Sequence, residues 1–205
     1  MTYATASGGR TPRGQAEHQV LAAVTALLDE GEAFTTLSVG RIADRAGVAR
    51  SSFYFHFPDK RTLLQRLAAS VTATLFEPAE AWVEDPGHDL EGLTAVLEQT
   101  VAAYRRHGPL LAAITEVAAY DPEFAVYWRA LVGELIGKVR LRLERDRRAG
   151  LLPRDLEAAG VAEHLVWGAE QALAQHVATG RGGLGDRRLA VGIAQSMWAV
   201  MAPRG

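Results

Sequence analysis

Residues 38–60, SVGRIADRAGVARSSFYFHFPDK, decide how the rest of this 205-residue chain is read. The stretch predicts a helix over Val39–Ala46, a tight bend through Gly47 and Val48, and a second short helix that starts near Arg50 and stops before Pro58. Ser38 offers an N-cap oxygen, and Val39, Ile42, Ala43 and Ala46 face inward while Arg41, Asp44 and Arg45 stay wet. Gly47 suits a left-handed C-cap, and Val48 follows it as the apolar pin of the turn. Two helices this short cannot bury their own apolar faces. Their spacing is that of a helix-turn-helix, whose second helix enters the major groove of DNA.

Within that second helix, Phe53 and Phe57 are the expected anchors into a small core. Arg50, Ser51, Ser52, Tyr54 and His56 make up its outward surface. Arg50 can read guanine or hold a phosphate, the serine hydroxyls are short enough for close approach, and the Tyr54 hydroxyl suits a phosphate. For Tyr54 and Phe55, core packing is the alternative. Ala49 brings no capping oxygen. Asp59 can cap the next helix, which puts Lys60 in its first turn. A cation there opposes the helix dipole, unless a DNA phosphate lies over both the ammonium and the free N–H groups.

Upstream, residues 1–15 are rich in Gly, Thr and Ser and carry Arg10 and Arg13. They are expected to form a flexible arm that either touches DNA or stays a solvated terminus. A first helix is expected over about Ala16 to Asp29, with Val20, Ala23, Val24, Leu27 and Leu28 in one stripe and Gly31 past its end. Residues 16–62 thus form the expected DNA-binding domain, and residues 63–205 a linking helix with a C-terminal helical domain. The linking helix carries Leu63, Leu64, Leu67, Val71 and Leu75 and is expected to end near Phe76 to Pro78. Helices follow over about Asp89–His107, through Leu111 to Val117, from Pro122 past Leu143, and over about Leu156–Thr179 and Gly185–Met201. The run Lys138–Arg148 interleaves Glu144 and Asp146 among its cations and reads as a solvated helix end. The last two helices are rich in alanine and apolar residues and suit a four-helix interface with a second copy. No strand signal and no repeat is present, so the fold class is all-α.

Composition sets the outer bounds. Hydrophobic residues make up 48% of the chain, enough for a core, and there is no apolar run long enough to cross a membrane. The first fifteen residues contain no apolar secretory segment, so a cytoplasmic location is expected, at the nucleoid when DNA is bound. The absence of cysteine excludes disulfides and thiolate sites. The formal net charge is −2, but residues 1–70 carry 8 Lys+Arg against 6 Asp+Glu, whereas residues 71–205 carry 14 against 18. Local placement of donors must therefore do more than overall charge.

Catalytic signatures are missing. The histidines His18, His56, His88, His107, His164 and His176 form no HExxH and no ligand spacing, and no GxxxxGK(S/T), GxGxxG or GxSxG occurs. Neither a metal nor a cofactor is expected, and an enzyme is the most distant of three readings. In the C-terminal part, Phe124, Trp128, Trp167 and Trp198 are expected to line an apolar cavity, with Glu170 or Gln171 as its polar handle. A dry helical core is the alternative.

The stretch LSVGRIADRAGVARSSFYFHFPDKRTLL, Leu37 to Leu64, carries the pattern IA…AGV…FY.HF..K and resembles the signature of TetR-family transcriptional regulators. Residues 16–75 resemble that family's three-helix reader with its linking helix. The later helices are similar to the EthR-like subgroup, at AVYWRAL (Ala125–Leu131) and LERDRRAG (Leu143–Gly150). The resemblance implies an all-helical homodimer on a pseudo-palindromic operator, usually a repressor, released by a small apolar or amphipathic effector. It also implies that Arg50, Ser52, Tyr54, His56 and Lys60 face DNA, that Trp128 and Trp198 are aromatic pocket positions, and that Glu170 is a retained acidic one. The subgroup's pocket asparagines are replaced here by Val166 and Ala169. A ligand-independent architectural or protein-recruiting DNA binder is the second reading.

Overall fold

The stripe Val20, Val24 and Leu27 is fully buried along α1 (Pro12–Asp29) in the computed structural model, which describes residues 12–180 and 182–202. The helix begins at Pro12 rather than near Ala16, since a proline is well suited to a first helical turn. The remainder of the expected arm, residues 1–11 with Arg10, lies outside the described residues. The chain divides into two compact units, Met1–Leu67 and Ala68–Gly205.

In the first unit, α2 (Val39–Ala46) starts on Ser38, whose hydroxyl accepts the Arg41 amide at 3.1 Å. It stops at Gly47, where φ is 68° and the Val48 amide reaches back to the Ala43 carbonyl at 3.0 Å. That left-handed turn favours glycine because a side chain there meets the backbone carbonyl. α3 (Arg50–His56) follows with no side-chain cap. Phe53 and Phe57 are fully buried with ring centroids 5.7 Å apart, and burying each contributes about 1.5–3 kcal/mol. Glu32 and Glu30 pair with Arg41 and Arg45, fastening α2 to the end of α1. Asp59 then caps α4 (Lys60–Glu84), accepting the Thr62 amide at 2.7 Å.

α4 corrects the expected end near Pro78, because it passes through that proline and continues to Glu84. Burial of Trp82 and Val83 in the second unit offsets the hydrogen bond that a proline cannot donate. The remaining helices are α5 (Leu90–Arg106), α6 (Gly108–Tyr120), α7 (Pro122–Arg148), α8 (Ala158–Ala178) and α9 (Leu184–Met201). Asp89, Asp121 and Glu157 cap α5, α7 and α8 with their carboxylates. α5 packs most extensively on α9, and α7 on α8. No strand occurs among the described residues.

The run Lys138–Arg148 is a second correction. Arg142 and Asp146 are buried and bonded Nε to Oδ2 at 2.6 Å, so this part of α7 is not a solvated end. Arg142 also donates to the carbonyls of Val83 and Asp85, each at 2.9 Å, and meets the His88 ring. The last turn of α4 is thereby capped from α7. Lys138 adds ion pairs to Glu80 at 2.7 Å and Glu84 at 3.3 Å.

Candidate functional sites

The exposed face of α3 presents Arg50, Ser51, Tyr54 and Phe55, with Ser52 and His56 half-buried beside them. Tyr54 is 54% exposed and Phe55 is 66% exposed, so neither is a core residue. Phe55 joins the outward set, a position that aromatic character alone points inward. Gly40 was not expected to matter. A Cβ built on this buried glycine would lie 2.0 Å from the Arg50 Nη2, so the guanidinium rests against the bare backbone of α2. The pairing of a glycine in one helix with an arginine in the next holds no local signal.

Lys60 is placed differently from the phosphate contact expected of it. Its ammonium donates to the carbonyl oxygens of Leu37 at 2.6 Å, Phe34 at 3.0 Å and Thr35 at 3.2 Å, and lies 5.1 Å from the Phe34 ring centroid. Three protons meet three carbonyls, which leaves none for a phosphate. Burial holds the Lys60 pKa below its ordinary value. The residue ties the loop before α2 to the start of α4, and the three carbonyl dipoles it meets offset the unfavourable helix dipole.

The second unit is hollow. A cavity of about 90 Å³ lies among Leu75, Trp82, Leu93, Leu97, Leu135 and Leu173, with residues from α4, α5, α7, α8 and α9 in its wall. A wider cleft of about 620 Å³ opens between α5, α6, α7 and α8, lined by Arg105, Thr115, Trp128, Gln175 and others. Tyr104 and Glu170 line both. Burial pushes the Glu170 carboxyl above its usual range, and pushes the Tyr104 phenol far up with help from Glu170 itself. At the rim, Arg105 is bonded to Asp186 through Nε at 2.7 Å and through a second guanidinium nitrogen, and His176 reaches the same carboxylate at 2.8 Å. These bonds, led by the one from Arg105, hold Asp186 down to about 2.

Of the five expected cavity residues, only Glu170 lines the apolar cavity, and Trp128 lines the wider cleft. Phe124 is fully buried against Tyr127, with centroids 6.3 Å apart, and lines neither. Trp167 is half-buried on α8 and also lines neither. Trp198 packs on Trp82 at 6.3 Å and on His88 at 5.6 Å, in an aromatic cluster behind the wall. The cavity is walled mainly by aliphatic side chains and Trp82, whose positions depend on how five helices meet. Helical periodicity marks such residues as buried without separating a wall from a solid core. Among the described residues no cluster of three or more His, Asp or Glu could hold a metal, and no helix is long and apolar enough to cross a membrane.

Comparison with known proteins places these features. The profile of the bacterial regulatory proteins of the tetR family matches residues 22–67, which span α2 and α3. The HTH-type transcriptional regulator EthR of Mycolicibacterium smegmatis is 29% identical over 171 residues, covering 78% of each chain. The fatty acid degradation regulator FadR of Bacillus halodurans has a TM-score of 0.74 at 15% identity, covering 96% of this chain and 100% of its own. FadR of Bacillus subtilis, solved in complex with stearoyl-CoA, has a TM-score of 0.73 at 16% identity, covering 88% and 96%. At such identities the two structures bear on the fold alone.

Proposed function

We propose that this chain, which belongs to the TetR family of transcriptional regulators, is a dimeric repressor that leaves its operator when a small apolar or amphipathic molecule occupies the second unit. The observation that carries this reading is the double membership of α4. Its first turns belong to the reader unit and hold the α1–α2 loop through Lys60, while Leu75, Phe76, Ala79, Trp82 and Val83 of the same helix line the apolar cavity. A molecule that fits the cavity in only one setting of α4 biases that setting, and tight binding without such a difference shifts nothing.

On DNA, Arg50, Ser51, Ser52, Tyr54 and His56 are the contact residues of this reading. Two copies present two such helices to half-sites about 34–36 Å apart, so a changed separation costs simultaneous contact. The α8–α9 face supports the dimer. A Cβ added at Gly168 or Gly192 would meet nothing within 4 Å, and Leu165, Leu189 and Ile193 line the groove beside them. Small and apolar residues on two neighbouring helices suit close approach by the same pair from a second copy. The hollow unit favours ligand control over the architectural reading, which needs only a filled core.

The test is to select bound sequences from random duplexes and then measure operator affinity for the wild type and for Val96→Phe. This substitution adds volume at a residue that lines the cavity. The filled variant is expected to bind the selected operator at least about tenfold more weakly, the lower range of allosteric couplings, while remaining folded. A folded variant with unchanged operator affinity would overturn the coupling.

A further inference from the structure

The narrow cavity and the wide cleft meet at two polar side chains, Tyr104 from α5 and Glu170 from α8. Neither the phenol oxygen nor the carboxylate has a hydrogen-bond or ion-pair partner among the described residues. No side-chain oxygen or nitrogen of the described residues is both sealed and unpartnered, so these two open onto the hollow. The wall around them is hydrocarbon on the cavity side. On the cleft side the lining cation is Arg105, whose guanidinium is already engaged with Asp186.

A carboxylate against an apolar wall is costly until a cation arrives, and it repels a second anion. An acyl chain ending in a carboxylate or phosphate would meet this charge with no free guanidinium or ammonium beside it. From these contacts we infer that the effector is a cationic amphiphile, with a slender hydrocarbon part in the apolar cavity and a protonated amine at the junction formed by Glu170 and Tyr104. The inference rests on the ligand-controlled reading above and sets its chemical class apart from the stearoyl-CoA of the Bacillus subtilis structure. Tyr104 supplies a second oxygen to the ammonium, and its phenol stays protonated because burial holds it so.

The test uses the full-length protein and three probes with one alkyl chain, octylamine, 1-octanol and octanoate, titrated calorimetrically near neutral pH. Wild type is expected to bind the amine at least about tenfold more tightly than the alcohol, as close charge pairs in a desolvated site do, and octanoate least. Glu170→Gln is expected to bring the amine down to the alcohol while leaving alcohol binding in place, which also reports an intact cavity. Glu170→Asp keeps the charge and is expected to keep the order. An amine preference that survives in Glu170→Gln overturns the inference, as does wild-type binding of octanol or octanoate equal to that of octylamine. In both cases a ligand has bound, so the ligand-controlled reading stands. Binding of none of the three overturns the inference, whereas the ligand-controlled reading is decided separately by the operator affinity of Val96→Phe.

Discussion

Lys60 and Arg50 are both cations of the first unit, yet their surroundings differ. Lys60 donates to three backbone carbonyls of the loop before α2, whereas Arg50 lies exposed against the Cβ-free surface of Gly40. Lys60→Ala is expected to lose about 1 kcal/mol of stability, because the part-buried carbonyls of Phe34 and Leu37 lose their charged donor. Its operator affinity should fall with salt at the wild-type slope, since no phosphate contact is removed. Arg50→Ala is expected to unfold within about 0.5 kcal/mol of the wild type and to lose about 1–3 kcal/mol of base discrimination. Urea unfolding and salt-dependent operator titrations of both variants check the pair. A stable Lys60→Ala with a shallower salt slope would restore the phosphate role. The caps at Ser38 and Gly47 and the anchors Phe53 and Phe57 were readable because their signals are local. The carbonyl partners of Lys60 are not legible in the same way, because they belong to a distant loop and sequence spacing alone does not bring them together.

α4 and α7 show the same contrast at the scale of helices. Starts were legible from Ser38 and Asp59, each followed by helical apolar spacing, and the hydroxyl of one and the carboxylate of the other accept an amide in the first turn. The end of α4 was not, because proline is a local stop signal while Trp82 and Val83 are held by tertiary burial. Arg142 carries much of that holding: it pairs with buried Asp146 and caps the carbonyls of Val83 and Asp85. Arg142→Ala is expected to cost about 3 kcal/mol, since it leaves the buried Asp146 carboxylate with only the 3.9 Å contact to Arg145. Replacing both members, Arg142→Met with Asp146→Leu, should recover most of that loss, because removal of both charges also removes the desolvation penalty. Denaturant midpoints of the single and double variants measure the difference. Equal destabilisation in both would place the main contribution in the carbonyl caps rather than the ion pair. The cavity wall escaped sequence reading for a related reason: Phe124 and Trp198 are aromatic and inward, but one fills the core and the other backs Trp82.

For the molecule as a whole, a hollow unit with an unpaired carboxylate is a departure from maximum stability, and proteins keep such departures where function needs them. Glu170 allows this to be measured. Burial raises its folded-state pKa above the ordinary value of 4.5, so the fold favours the protonated form. The favourable contribution is complete below the unfolded value and is lost as pH rises through the folded value, where the carboxylate must ionise inside the hollow. Near neutral pH the wild type therefore carries a penalty that Glu170→Gln, neutral at every pH, does not. The variant is expected to melt at a higher temperature near neutral pH, with the gap closing as pH falls toward 4.5. The phenol of Tyr104 stays protonated throughout this range and adds no slope of its own. Asp186, held down to about 2, titrates mostly below it, and its contribution is shared by both proteins. Thermal melts of the two proteins across that range decide the matter. A gap that is the same at every pH would mean that the Gln side chain packs better and that the charge of Glu170 is not what the fold opposes. A gap that opens with pH would identify a stability cost concentrated at Glu170, a carboxylate that lines both the cavity and the cleft.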